Sequence, residues 1–425
     1  MEQPDRTGQT RAAHEAGVPA PRPRILALLP DVAWPLDGGK RLRQSGNLRG
    51  LAAVGDVDLG VLFSTAPPDV PPVPPDVRVR EWRRVSPEPY NHLQAAANLA
   101  RGLPVRIGAQ RWDRIRSALA DWSAHEYDLV WFGGMDLARG LRGVFRARRT
   151  IVDYDDVETS AWRAYLDAGA GDRLERLQRR IELPLWGRIQ TEVAAATDAV
   201  VVCSDLDVDR LGAGHVAVIP NTYPEPAPRP RQPHPAGEPG PRVVVVANWE
   251  TDANADSAHF AAVDVLPRLR RLLPEARLRL VGRNADRLAG LEGLPGVDLV
   301  GPVDDVGDEL ATADVALVPT RYGGGTRLKA IEAFAYEVPV VSTALGCEGL
   351  GVRDGVQVLV RDEPDAIAEA VRQVVEDEAL RARLVAAGTE HYRRHYRPQA
   401  AVEAVTAVVD HVLTAQGGEV GRAAG

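Results

Sequence analysis

The stretch "ADVALVPTRYGGGTRLKAIEAFA", residues 313–335, sets an apolar run before three glycines, a threonine, two cations and a carboxylate. Read as strand, glycine loop and helix opening near Thr326, it is the unit from which parallel α/β sheets are built. Glycines let backbone N–H groups come close to an anion, and the positive end of the helix dipole points at the same place. Arg327 and Lys329 add two cations in the first turn, where each is unfavourable by about 0.3–1 kcal/mol unless something negative sits there. Three glycines, Gly323, Gly324 and Gly325, followed by such cations therefore predict a bound phosphate. The plainer alternative is a loop that only turns the chain, with both cations in water. Glu332, about one and a half helical turns further in, could accept hydrogen bonds from ribose hydroxyls or be an ordinary surface glutamate.

The same alternation runs through most of the chain. "RILALLP" (24–30), "DVDLGVLFS" (56–64), "YDLVWFGG" (127–134), "RTIVDYDD" (149–156), "DAVVVCS" (198–204) and "HVAVIPN" (215–221) are short apolar runs ending in small or polar residues, as buried parallel strands do. With amphipathic stretches at 40–53 and 159–197 they predict one doubly wound domain over 23–222, after a disordered lead-in at 1–22. Residues 223–241 carry eight prolines in nineteen positions. Such a segment can neither pair as a central strand nor sustain a helix, so it reads as a stiff interdomain connection. Beyond it "RVVVVAN", a helix at 255–273, "RLRLVGR", "VDLVGPV", "ADVALVPT", "VPVVST" and "GVQVLV" predict a second doubly wound domain over 242–397. The amphipathic stretch 398–414 has no strand after it and is expected to return to the first domain, leaving a flexible tail at 415–425. Two such domains would face each other across a cleft lined by the carboxyl ends of both sheets.

Composition removes several classes of function. At 425 residues, with a formal charge of −8 and pI about 5.7, the chain has neither a basic face nor a basic arm for nucleic acid. The clusters "RARR" (146–149) and "RLERLQRR" (173–180) read as solvated helix faces, acidic residues being interleaved in the second; a membrane-surface or acceptor-binding role is the alternative. Two distant cysteines, Cys203 and Cys347, give no disulfide framework and no metal pair. The absence of a long apolar run and of an apolar signal-peptide core predicts a cytoplasmic protein, at most peripheral to the inner face of a membrane. No zinc site is expected of the nine histidines, of which only His391 and His395 ("HYRRH") stand four apart, and neither a GxSxG elbow nor a Walker loop occurs.

Three further stretches carry candidate chemistry. "PLDGGKRLR" (35–43) is a second glycine loop between strand and helix; Gly38, Gly39, Lys40 and Arg41 could close over the same diphosphate, or the loop could be a plain turn. "IVDYDDVET" (151–159) ends a strand in Asp153, Asp155, Asp156 and Glu158. These carboxylates could orient an acceptor hydroxyl, take its proton or hold a divalent cation, while one or two of them could cap the next helix. Arg283, in "VGRN", could touch a nucleotide or cap a loop.

The block "PTRYGGGTRLKAIEAFAYEVPVVSTALGCEGL", with "RLRLVGRN", "VDLVGPVDDV" and "VVVCSDLDVDRL" before it, resembles glycosyltransferase family four, of the two-domain GT-B fold. "DGGKRLR" and "IVDYDDVETSAWRAY" resemble a branch of bacterial sugar transferases for polysaccharide and secondary metabolism. The resemblance spans residues 24 to about 413 and is most specific at "GGGTRLK". It implies retaining transfer of a sugar from a nucleoside diphosphate sugar to an acceptor hydroxyl, with no metal and no cofactor. It also implies that Glu332 contacts the ribose, that the backbone at Gly325, Thr326 and Arg327 meets the diphosphate, that Gly38 and Gly39 approach from the first domain, and that Val303 faces the base. The chain departs from the family in three places. Gly324 stands where many members carry a first glutamate, eight residues before Glu332. "VANWETDAN" (246–254) lacks an arginine and a lysine common there, a charge that Arg327 and Lys329 are expected to supply. Asp155 or Asp156 takes the place of a histidine near the acceptor. A nucleotide-sugar epimerase and a non-catalytic nucleotide-sugar-binding subunit are the rival readings; the oligomeric state is left open.

Overall fold

The computed structural model describes residues 21–64, 67, 69–70, 72–86, 97–212, 215–234, 240–324 and 327–415. The lead-in up to residue 20, the tail from 416, and Gly325 and Thr326 of the glycine loop lie outside these.

Seven strands form the first sheet: β1 (Arg24–Leu29), β2 (Asp56–Leu62), β3 (Glu81–Val85), β4 (Glu126–Phe132), β5 (Arg146–Asp153), β6 (Ala199–Val202) and β7 (Val216–Val218). They lie parallel in the order β3-β2-β1-β4-β5-β6-β7. Six more, β8 (Arg242–Val246), β9 (Arg277–Val281), β10 (Val297–Gly301), β11 (Val315–Val318), β12 (Val340–Ser342) and β13 (Val358–Val360), form a second parallel sheet in the order β10-β9-β8-β11-β12-β13. In each sheet the order reverses beside the first strand, between β1 and β4 and between β8 and β11. Loops at the carboxyl ends of such neighbours diverge to opposite faces and leave a crevice. Two doubly wound domains built this way make a GT-B fold.

Helix lengths differ from the sequence reading where glycine and proline intervene. The expected helix at 159–197 is two, α2 (Glu158–Asp167) and α3 (Arg173–Ala195), because Gly169 and Gly171 take positive φ between them and Asp172 with Glu175 forms a capping box at the restart. The expected helix at 255–273 starts at Asp252, capped by Thr251, and carries a π-helical turn at Phe260–Val265 just before Pro267, whose missing N–H cannot close an α-helical bond. The helix after the glycine loop, α4 (Leu328–Ala335), opens two residues later than expected, with Arg327 at its cap position.

The last helix, α5 (Pro398–Thr414), buries Ala401, Val405, Val409 and Val412 in the core of the first domain, against α1 (Gly39–Val54). Glycine makes the approach: a Cβ on Gly50 would stand 2.4 Å from Val405 Cβ. The proline-rich connection is not a free strap. Arg229 bonds Asp305 and Asp308, Arg231 bonds Asp314, and the Gln232 amide donates to Ala311 O, so the segment is fastened to the second domain. The segments that join the domains outside this fastening are the two chain crossings, near residues 221–223 and 396–398. Among the described residues no helix is long and apolar enough to cross a membrane.

Candidate functional site

A cleft of about 910 Å³ lies between the domains. Its lining comes from the loops at the two switch points, 36–39 with Leu42 after β1, 246–254 after β8 and 318–324 with 327–329 after β11, together with Pro302 to Val306, the face of α4 and, from the first domain, Asp156, Ala161, Trp162, Tyr165 and Arg179.

Glu332 and Lys329 lie one turn apart on α4, and both line the cleft. The ammonium of Lys329 donates to Asn254 Oδ1 at 2.7 Å. Burial, reinforced by the neighbouring Arg327 charge, brings its pKa down to about 8. An anion at the cleft floor would reverse that shift. Glu332 Oε1 accepts from the Tyr223 hydroxyl at 2.6 Å, and burial lifts its carboxyl to about 7 against the opposing effects of that hydrogen bond and of Lys329.

Arg327 is differently employed. Its guanidinium donates to Leu345 O at 2.7 Å, Gly324 O at 2.7 Å and Gly323 O at 3.2 Å, with Glu348 at 3.7 Å. It is 8% exposed, and burial lowers its pKa despite Glu348 and Asp156 nearby. The sequence reading aims both cations at a phosphate; the structure turns Arg327 instead to the carbonyls of Gly323, Gly324 and Leu345. Lys329 is left as the cation directed at the cleft. Gly324 lines the cleft, whereas Gly325 and Thr326 lie outside the described residues.

From the first domain, Gly38 and Gly39 reach the same place, and a Cβ on Gly39 would stand 2.8 Å from Leu328 Cδ1. Lys40 is exposed and does not line the cleft, and Arg41 is taken up by Asp31 and Asp37. Neither is placed to close over a diphosphate in this arrangement. Arg283 lines the cleft but binds across it, donating to Asp37 Oδ2 at 2.8 Å and to Asp37 O at 2.7 Å. Val303 lines the cleft beside Val306 and Tyr336.

The four carboxylates of 151–159 diverge. Asp153 is buried against the Arg43 guanidinium and the Asn47 amide, as an internal brace between β5 and α1. Asp155, its side chain 40% exposed, lies 3.8 Å from Arg43 and accepts the Cys203 thiol at its backbone oxygen. Glu158 pairs with Arg106. Asp156 alone of the four lines the cleft, against the glycine loop: a Cβ on Gly324 would lie 3.2 Å from Asp156 Cγ and 2.7 Å from Ala161 Cβ. Its Oδ1 is buried without a hydrogen-bond partner among the described residues. Burial first, then the charges of Asp155 and Glu158, raise this carboxyl to about 8. Among the described residues no three His, Cys, Asp or Glu side chains converge as a metal site.

Several cleft residues escape the sequence reading. Asn254 and Tyr223 hold the two polar groups of α4, Asp37 ties the first loop to Arg283, and Trp162, Tyr165, Tyr322 and Arg179 form an aromatic lip. In that lip the Tyr165 and Tyr322 rings meet across the cleft at 5.5 Å, and the Arg179 guanidinium lies 3.8 Å from the Tyr165 ring centre. Asn254 sits within "VANWETDAN", legible there as a polar residue but not as a partner for Lys329.

Comparison with known proteins follows this division of the chain. Phosphatidyl-myo-inositol mannosyltransferase of Mycobacterium tuberculosis is 34% identical over 144 residues, 31% of this chain and 38% of that protein. Its Mycobacterium leprae counterpart is 27% identical over 230 residues, 52% of this chain and 56% of the other. The chain thus spans 38% of the length of the M. tuberculosis relative it matches. Sucrose-phosphate synthase from Thermosynechococcus elongatus superposes with a TM-score of 0.65 at 19% identity, over 93% of this chain and 100% of that one. Anabaena HepE, solved in complex with UDP-glucose, does so with a TM-score of 0.58 at 14% identity, again over 93% and 100%. At these identities the likeness is one of fold, whereas residues 240–377, the domain that carries Lys329 and Glu332, match the family model of glycosyl transferases group 1.

Proposed function

We propose that the chain is a retaining glycosyltransferase that moves a hexosyl group from a nucleoside diphosphate sugar to an acceptor hydroxyl. The observation that carries this reading is the Lys329 ammonium, held by Asn254 at the floor of the interdomain cleft beside the glycine loop. In this reading the diphosphate lies along the start of α4, its charge offset by Lys329 and by the amides of Gly324, Gly325 and Thr326. Arg327 acts on the loop through the carbonyls of Gly323 and Gly324. Glu332 accepts from the ribose hydroxyls, and the base rests near Val303. The match of residues 240–377 to glycosyl transferases group 1 supports glycosyl transfer as the reaction class.

The bond from the anomeric carbon to the leaving phosphate breaks as the bond to the acceptor oxygen forms on the same face of the sugar. The acceptor proton passes to the departing phosphate oxygen, so no protein nucleophile is needed. With its pKa near 8, Asp156 carries a proton at neutral pH and serves as a hydrogen-bond donor to sugar or acceptor, rather than as a base. Fixed charge aimed at a leaving phosphate is the largest electrostatic contribution such a site can supply. Activity should therefore persist in chelator and need no resident cofactor. The acceptor is a glycan, a lipid-linked glycan or a natural product met on the cytoplasmic side.

A thermal-shift screen of nucleoside diphosphate sugars tests the reading, since a donor present at about 100 times its Kd stabilises the fold by about 2.7 kcal/mol. Failure of every base and sugar to raise the melting temperature overturns it. Donor turnover to an epimer without acceptor would instead make the chain an isomerase.

A further inference from the structure

Three of the seven large hydrophobic side chains left exposed among the described residues lie on one helix: Leu174 at 73%, Leu177 at 53% and Ile181 at 49%, all in α3. At about 100° per residue they fall within about 60° of arc, and Arg173, Arg176 and Arg180 occupy the adjoining arc. The sequence reading makes this stretch a solvated face because acidic residues interrupt it. The structure removes those residues from the face. Glu175 turns back to accept from the Asp172 amide and the Tyr165 hydroxyl, and Glu182 is buried, accepting from the Val105 amide and Gln178. Among the described residues none of Arg163, Arg173, Arg176, Arg179 and Arg180 forms an ion pair, although the chain is net negative.

An apolar stripe beside unneutralised arginines is the pattern of a helix that lies in a bilayer interface. The apolar side chains enter the acyl boundary while the guanidinium groups meet anionic headgroups. We propose that residues 173–181 of α3 dock the protein on an anionic lipid surface. The position gives the contact a use. Arg179 stacks on Tyr165, and with Trp162 these residues form the first-domain lip of the cleft, so a docked α3 brings the cleft mouth to the membrane and opens it to acceptors carried there. The docking stands on the surface of α3 alone, whereas the use given to it rests on the proposed transfer reaction.

The test is co-sedimentation of the full chain with vesicles of phosphatidylcholine alone and of phosphatidylcholine mixed with phosphatidylglycerol. Binding to the anionic vesicles only, weakening with added salt, is expected. Replacing the exposed side chains together, Leu174→Ser, Leu177→Ser and Ile181→Ser, should lower partitioning by about tenfold or more with little change in melting temperature. Arg173→Gln with Arg180→Gln should weaken it and flatten its salt dependence. Absence of binding to anionic vesicles at low salt overturns the proposal, as does equal binding by the triple variant. Self-association of the parent chain in sedimentation velocity, abolished by the triple variant, would assign the stripe to a second copy instead and overturn it as well.

Discussion

Protonation of Lys329 ought to govern donor affinity, and the structure sets the scale of the effect. With a pKa of about 8 the side chain is about nine-tenths charged at pH ~7 and about one-tenth charged at pH ~9. A bound diphosphate favours the charged form, so binding takes up close to one proton at the alkaline end. Affinity should then fall about tenfold, or about 1.4 kcal/mol, over those two pH units. The nucleotide contributes little to this, because the second ionisation of its terminal phosphate, near pH ~6, is complete by then. Asp156 loses its proton over the same range and would weaken binding in the same direction, so the titration belongs in an Asp156→Asn background. Calorimetry of nucleoside diphosphate binding in two buffers of different ionisation heat reports both affinity and proton uptake. In that background Lys329→Arg should give a flat profile and Lys329→Met weak binding throughout. A profile that stays flat to pH ~9 with Lys329 present, or an unchanged slope in Lys329→Arg, refutes the assignment of this ammonium to the diphosphate.

Asp156→Asn should lower transfer far more than donor binding, measured as kcat against Kd; equal losses in both would deny it an acceptor-side or sugar-side role. In the unliganded protein the raised carboxyls of Asp156 and Glu332 keep the folded state more protonated than the unfolded chain from about pH 4 to about pH 8. Stability measured by urea unfolding should therefore fall as pH rises through that window, with a shallower slope in Asp156→Asn with Glu332→Gln. Gly50→Ala forces a Cβ against Val405 and should destabilise by about 1–3 kcal/mol, with recovery on adding Val405→Ala. Arg43→Met leaves Asp153 buried without its guanidinium and should cost about 3–5 kcal/mol in thermal or urea unfolding, whereas Asp37→Ala breaks exposed pairs and should cost under about 1 kcal/mol.

The alternation of apolar runs with glycine loops and amphipathic stretches made twelve of the thirteen described strands legible, because buried parallel strands leave a local signature of continuous Val, Ile and Leu; β3, the charged edge strand "EWRRV", leaves no such signature and was missed. The placement of Gly324, Lys329 and Glu332 at the cleft follows from the same register, since a loop after a switch-point strand has nowhere else to face. Side-chain direction was not legible, because it is decided by groups distant in sequence. Arg327 turns away from the α4 dipole to Leu345 O, contributed by the loop after β12. Asp153 turns from its neighbours to Arg43 on α1, 110 residues earlier. A partial signal for the latter was present: Arg43, Gln44 and Asn47 put polar groups on the face of α1 that α/β packing must bury, and such a face needs a buried partner. The fastening of the proline-rich connection was likewise hidden, for a proline-rich run reads as stiff whether or not its arginines find carboxylates on a neighbouring domain.

Tyr223 joins two parts of the molecule that a reading by motifs keeps separate. It stands at the first chain crossing, where its amide donates to Tyr396 O and its carbonyl accepts from the Tyr392 hydroxyl, so its backbone binds the two crossings into one unit. Its own hydroxyl bonds Glu332 inside the cleft. A rotation of one domain on the other must turn about this unit, because the connection beyond it travels with the second domain and α5 travels with the first. The carboxylate proposed for the ribose, on α4 of the second domain, is thus also tied to the pivot. Glu332 and Lys329 can then keep their spacing while the Gly38–Gly39 loop and Asp156 approach or withdraw, which makes the donor floor the fixed part of the site and the first-domain wall the part that closes.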